Sequence, residues 1–358
     1  MWKWIAGIFG VLVALVVIAA LGALGYRAVR QWENARALAI TTRNGIDEAA
    51  FVRIGGIDQW VTIRGRDRDN PVILFLHGGP GSAISTVAAP VFRNWEKDFT
   101  VVQWDQRGSG RTYGLNGEDE KPMTVDRMVK DGIELSQYLI VHLHKRKIIL
   151  LGLSWGSELG VMMVKREPGL YFAYVGTGQV VAKEEKEEII YARLMERLKK
   201  AHDADGIAKL KEIGPPPYES EAELAVERNV QNRFEVSMER DQFQTMLPHA
   251  LYAPHTSIQD LLDVGRGQEF AGEALYRELL AYDARKLGRH FDVPIFIFNG
   301  DQDLTTPADL AKAWFDTLDA PQKEFVLLKG GGHSAVMTMP DVFLRELVAR
   351  VRPIAIKS

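Results

Sequence analysis

Three residue types in one chain order carry the possible chemistry. A serine lies in Gly152-Leu153-Ser154-Trp155-Gly156, an aspartate in Gly300-Asp301-Gln302-Asp303, and a histidine in Gly330-Gly331-Gly332-His333. A serine hydroxyl is a poor nucleophile until a base takes its proton, and imidazole is suited to that at neutral pH. A carboxylate behind the imidazole fixes its tautomer and stabilises the imidazolium. Ser154, Asp303 and His333 therefore read as nucleophile, orienting acid and general base for acyl transfer. Asp301 is the alternative acid. Taken alone, the Gly-x-Ser-x-Gly pentapeptide is equally what a plain strand-to-helix turn looks like.

The elements around these residues decide between the two readings. Ile148–Leu151 is an apolar run too short for a helix and right for a buried parallel strand, and Ser157–Lys165 reads as a helix. Strand, tight turn and helix are the context that a nucleophile elbow needs. Further buried strands are expected at Pro71–Leu76, Asp98–Trp104, Phe172–Val175, Pro294–Phe298 and Glu324–Leu328. A hairpin is expected from Phe51–Ile54 and Gln59–Ile63 around Gly55-Gly56, and helices over Met123–His144, Ala308–Leu318 and Pro340–Val351. Alternating strands and helices argue a mostly parallel sheet with helices on both faces. Ligand sites in such sheets lie at the carboxyl ends of the strands. His77-Gly78-Gly79-Pro80-Gly81, Asp105-Gln106-Arg107-Gly108-Ser109-Gly110, Ser154 and Gly176-Thr177-Gly178-Gln179 all fall at such ends, as do Asp303 and His333. The order serine, aspartate, histidine is that of an α/β-hydrolase fold.

Composition narrows the chemistry. The 358 residues contain no cysteine, which excludes disulfides, thiolate catalysis and zinc–thiolate sites. The net charge of −3 without a strongly basic block argues against a nucleic-acid partner. His142 and His144 point to different sides of a helix and there is no H-E-x-x-H, so neither a metal nor another cofactor is expected. Residues 180–290 are mostly helical in pattern, charged, and broken by Pro215-Pro216-Pro217, which reads as a helical cap inserted into the sheet domain. Within it Lys183–Glu188 is by default a solvated face. Glu187 and Glu184, one and two turns before Tyr191 on one side, are the carboxylates placed to reach a pocket.

Together His77–Gly81, Asp105–Gly110, Gly152–Ser157, Gly300–Asp303 and Gly331–Ala335 resemble the proline iminopeptidase branch of the α/β-hydrolases, over about residues 50–350 in motif order. The resemblance implies a serine peptidase that releases an N-terminal proline or another small residue through an acyl-enzyme. It implies an acid three residues beyond the strand-ending Gly300, which is Asp303, and an oxyanion hole from the N–H groups of Gly79 and Trp155. It also implies cap glutamates that receive the substrate's free amine, often in a Trp-Glu context. This cap has no Trp-Glu pair, and Glu184 and Glu187 are the carboxylates put forward. A carboxylic-ester or amide hydrolase acting on a small ester is the alternative, and a non-catalytic binding protein of the same fold is the alternative of another class.

The chain opens with Ile5–Leu24, an uncharged stretch of about 20 residues, the length that crosses a bilayer. Trp2, Trp4 and Tyr26 flank it as interfacial aromatics do. A cleaved signal peptide is the competing reading, with small-residue sites near Gly22 and Gly25; the length of the run favours a single-pass anchor. Lys3 before the span against Arg27, Arg30 and Arg36 after it leans toward a cytoplasmic catalytic domain. The expected organisation is anchor 1–26, polar and partly helical stalk 27–48, first half of the core 49–179, cap 180–290 and second half of the core 291–358.

Overall fold

A computed structural model describes the chain apart from residues 1, 120–122, 237–240 and 357–358. Eight strands form one sheet in the order β1-β2-β4-β3-β5-β6-β7-β8. β1 (Ile46–Ile54) and β2 (Ile57–Gly65) make the expected hairpin, and β2 pairs antiparallel with β4 (Thr100–Trp104). From β4 onward every pairing is parallel, through β3 (Val72–Leu76), β5 (Ile148–Leu153), β6 (Tyr171–Thr177), β7 (Ile295–Gly300) and β8 (Lys323–Leu328). β1 begins five residues before the expected Phe51. It is an edge strand with one face in solvent, and its opening Asp47 and Glu48 hide the strand from a hydrophobicity reading.

The central strands are apolar throughout because both faces are covered. Alternate residues feed two cores. Leu74, Leu76 and Leu150 enter one with Trp104, Met128 and Leu159. Ile73, Phe75, Ile149 and Leu151 enter the other with Phe92, Trp95 and Phe343. The helices that cover the sheet come between the strands: α2 (Ser85–Val91), α3 (Gly110–Asn116), α4 (Val125–His142) and α5 (Trp155–Arg166).

Between β6 and β7 the chain leaves the sheet. α6 (Lys183–Ala201), α7 (Ala204–Ile213) and α8 (Glu221–Gln231) share a small core of Ile190, Leu194, Leu198, Leu210 and Val230. α9 (Gln242–Leu251) and α10 (Ile258–Leu280) return the chain. Exit and return are tied at the neck by Lys183 N–H to Tyr282 O and Ala284 N–H to Val181 O, at 3.1 and 2.7 Å.

The N-terminal helix α1 runs unbroken over Trp2–Leu38, and from Gly7 onward it is long and apolar enough to cross a membrane, with a mean hydropathy of 2.8 in its most apolar stretch. The segment expected as a stalk is no free tether. It continues α1 and lies against the cap: Arg27 donates to the carbonyls of Leu251 and Thr256, Gln31 to those of Ala253 and Thr256, and Asn34 to that of Tyr252, all within 3.0 Å.

Candidate active site

Ser154 sits at the carboxyl end of β5 with φ 55° and ψ −121°, a conformation that costs on the order of 1–3 kcal/mol for a residue with a side chain. The strain is held by close packing. A Cβ on Gly152 would lie 2.2 Å from the carbonyl oxygen of Gly156, and one on Gly156 would lie 2.0 Å from that of Leu76. Strand and helix therefore meet at a separation only glycine permits. The Ser154 N–H bonds the Thr177 carbonyl at 3.1 Å, which fastens the elbow to the end of β6.

Asp303 is buried beyond the end of β7, and its Oδ2 lies 3.1 Å from His333 Nδ1. Its Oδ1 accepts the N–H groups of Thr305 and Thr306, at 2.8 and 2.7 Å, and its Oδ2 accepts the Thr306 hydroxyl at 2.5 Å. Burial pushes its pKa up, but the charge and hydrogen bond of His333 and the Thr306 donors outweigh that and hold it below the usual carboxylate range. Thr306, which the sequence reading did not single out, thus serves the acid and also touches His333 Nδ1 at 3.2 Å. Asp301 is exposed and accepts the Gly330 N–H at 2.8 Å, away from the imidazole. His333 packs on the turn after β6, where a Cβ on Gly178 would lie 2.8 Å from its Cε1. Ser154 and His333 thus flank the same turn.

Gly78 follows β3, and a Cβ there would lie 3.3 Å from that of Ser154, so the glycine loop abuts the elbow. Gly79 has φ +111°. Trp155 is the first residue of α5, so its N–H has no acceptor within the helix. Both loops are knotted by Gln106. Its side chain donates to the His77 carbonyl at 3.3 Å and accepts the Trp155 indole N–H at 2.9 Å. Its backbone N–H bonds His77 Nε2 at 3.3 Å. Burial lowers the His77 pKa to about 4, which leaves a neutral ring with Nε2 as acceptor and Nδ1 donating to the Gly78 carbonyl. The next residue, Arg107, is buried and paired with Asp131 of α4 at 2.8 Å. The signal for Gln106 was its place in the Asp105–Gly110 loop, two residues beyond the end of a fully buried strand.

The cap corrects the sequence reading. Glu184 and Glu187 do not share an environment. Glu184 is exposed, whereas Glu187 is buried and already engaged: the Arg228 guanidinium bonds both its oxygens, at 2.8 and 2.7 Å, and Lys186 Nζ stands 2.6 Å away. Burial raises the Glu187 pKa, but Lys186 and Arg228 overcome it and bring it down to about 2. Lys183–Glu188 is therefore not a uniformly solvated face. The missed partner is Glu227 of α8, fully buried, accepting from the Tyr218 hydroxyl at 2.8 Å and from Arg228 at 3.1 Å. Burial pushes its pKa up to about 7. Gln231, one turn on, donates to the Thr305 hydroxyl at 2.6 Å, so this network borders the Asp303 loop. α10 closes over the glycine loops: a Cβ on Gly81 would lie 2.5 Å from Gln268 Cα, and one on Gly267 would lie 2.8 Å from Gly108 O. Among the described residues no group of three or more His, Asp or Glu side chains is placed to hold a metal ion.

A family model for "Serine aminopeptidase, S33" matches residues 68–338. The chain belongs to this family. It is 30% identical over 308 residues to the "Probable aminopeptidase YbaC" of Bacillus subtilis (strain 168), covering 84% of this chain and 94% of that one. The fold is that of the α/β-hydrolases. A proline iminopeptidase-related protein from Thermus thermophilus superposes with a TM-score of 0.60 at 21% identity, covering 86% of this chain and 99% of that one. A bacterial membrane phospholipase A does so with the same TM-score, 0.60, at 15% identity, covering 99% of each chain. As a member of the family, the chain is an enzyme, a serine aminopeptidase-like hydrolase.

Proposed function

We propose that the chain is a membrane-anchored aminopeptidase that releases an N-terminal proline or another small residue. Ser154 attacks the scissile carbonyl while His333 takes its proton, and Asp303 holds the imidazole tautomer. The N–H groups of Gly79 and Trp155 receive the oxyanion, where one donor is typically worth on the order of 3 kcal/mol of barrier. His333 returns the proton to the leaving amine, and water then resolves the acyl-enzyme. The observation that carries this reading is the contact between buried Asp303 and His333 Nδ1 at 3.1 Å, on the same turn that the strained Ser154 bonds.

A substrate ammonium held in a partly dry site needs a carboxylate beside it. Glu227 and Glu187 border the acid loop and are proposed for that role, Glu227 first because Glu187 is already gripped by Arg228 and Lys186. Glu184 is left in solvent. Ester hydrolysis is the second reading. One observation favours it: Glu187 and Glu227 are matched one for one by Lys186 and Arg228, so the network has no surplus negative charge. The test compares proline-naphthylamide with a short-chain nitrophenyl ester. Glu227→Gln is expected to raise KM for the amine-bearing substrate and to leave the ester unchanged. Equal losses on both, or turnover of the ester alone by the unaltered protein, would remove the aminopeptidase reading. α1 is proposed as a single-pass anchor with the catalytic domain on the cytoplasmic side, supported by the arginines that follow the span.

A further inference from the structure

α1 does more than lead to the enzyme; it brings one corner of the cap to a fixed height. Leu24 ends the apolar run, and Arg27 lies about 4.5 Å further along the helix axis, Gln31 about 10 Å. These two side chains grip the carbonyls of Leu251, Ala253 and Thr256, in the turn that joins α9 to α10. Tyr26 packs edge-on against Tyr252, with ring centroids 5.8 Å apart. The polar interface on each side of a bilayer is roughly 5–8 Å deep. If Ile5–Leu24 spans the hydrocarbon, the α9–α10 corner lies at the level of the lipid headgroups.

The surface of that corner is apolar where a solvent-facing surface has no need to be. Ile258 and Leu262 are each 51% exposed and stand one turn apart on the outer side of α10, and Leu247 of α9 is 39% exposed. Arg266 follows Leu262 by one further turn and is largely exposed. Ile258 is two residues from Thr256, whose carbonyl α1 holds. An apolar pair beside an anchor, followed by an arginine one turn further on, is the order in which side chains enter a lipid interface.

We propose that the cap carries a second membrane contact, in which Leu247, Ile258 and Leu262 sit in the bilayer interface beside the anchor. The occupant of this surface is lipid rather than protein because the patch continues the surface of the spanning helix at the same height. The enzyme is then held by two points and cannot swivel about its anchor, and α10, which covers the glycine loops, rests on the membrane.

The inference rests on the anchor reading, and the test separates the two. The chain contains no cysteine, so single-cysteine variants of the full-length protein can be labelled cleanly. Ile258→Cys, Leu262→Cys, Leu15→Cys and Val141→Cys would each carry bimane, in vesicles made with and without brominated lipid. Val141 is 74% exposed on α4 next to His142, which bonds Glu48 at the start of β1; the neighbouring Asp47 shares Arg64 with the Leu38 carbonyl, about 21 Å along α1 from Leu24. Bromolipid is expected to cause a clear loss of fluorescence at positions 15, 258 and 262 and little at 141. Loss at 15 with 258 and 262 no different from 141 would overturn the second contact and leave the anchor standing. Absence of loss at 15 would remove the anchor reading and the proposal with it. A blue shift at 258 that grows with protein concentration but is insensitive to bromolipid would assign the face to a second copy, against the proposal.

Discussion

Replacing Gln106 with leucine tests whether the two loops beside Ser154 are held by one buried amide. The side chains are similar in size, so little volume is lost. What is lost is the partner of the Trp155 indole N–H at 2.9 Å and of the His77 carbonyl at 3.3 Å. A buried polar group left unpaired costs about 1–3 kcal/mol. The shorter bond counts in full and the longer one less, so Gln106→Leu should destabilise the fold by about 2–4 kcal/mol. That is a large share of the typical 5–15 kcal/mol for a domain. The loops carry both proposed oxyanion donors. Loss of one such donor costs about 100- to 1,000-fold in kcat, and loosening should cost less, about 10- to 100-fold. Urea unfolding of the detergent-solubilised protein gives the first number and ester turnover the second. Trp155→Phe supplies the control. It removes the indole N–H, so adding it to Gln106→Leu should cost less than the sum of the single changes, because one orphan donor disappears. A shift under about 0.5 kcal/mol, the range of an ordinary surface substitution, with unchanged kcat would refute the account.

Ser154→Ala and His333→Ala should each lower kcat by several orders of magnitude, and Asp303→Asn should cost far more than Asp301→Asn, since only Asp303 reaches His333. Asp303 also contributes a pH dependence. Its folded pKa is depressed, so its stabilisation is complete above the ordinary aspartate value of about 3.9 and is lost as pH falls through the folded value. Glu227 acts in the opposite sense. A carboxyl raised to about 7 favours the fold in its protonated form, so stability should decline between pH 5 and 8, and Glu227→Gln should flatten that decline in unfolding measurements. Gly156→Ala places a methyl 2.0 Å from the Leu76 carbonyl oxygen, and expression trials should yield little folded protein; a normal melting curve would contradict the strand–helix packing.

The sheet, Ser154 and Asp303 were legible because each lies next to an apolar run that no exposed element could carry, whereas His333 follows the half-buried edge strand β8 and was legible from its three glycines and the chain order. β3, β5 and β7 are buried along their whole length, and the residues that follow them are glycine-rich and polar. The choice of Asp303 over Asp301 came from spacing beyond Gly300, and the structure places Asp303, not Asp301, on the imidazole. The cap was legible only as helical. Helical phase placed Glu184 and Glu187 on one side, but at the start of α6 Glu184 faces solvent while Lys186 of the same turn and Glu187 are buried. The fate of Glu187 depends on Arg228, 41 positions away on another helix, and no local period encodes such a pairing. The same holds for the grip of Arg27 on Thr256, which joins residues 229 apart.

The seam where Gly81 and Gly267 bring α10 against the glycine loops fixes what in the cap can move. Leu275 and Leu279 of α10 belong to the same core as the sheet residues Leu74 and Leu150, so α10 is a beam of the body and not a lid. α6, α7 and α8 have a separate core of their own. Any movement of these three helices against α10 would have to break the bonds Gln231–Thr305 and Arg193–Asp309. The first of these bonds holds the hydroxyl of Thr305, whose backbone N–H bonds Asp303 Oδ1. A displacement of the three helices would therefore reach Asp303, the proposed acid, through a single residue.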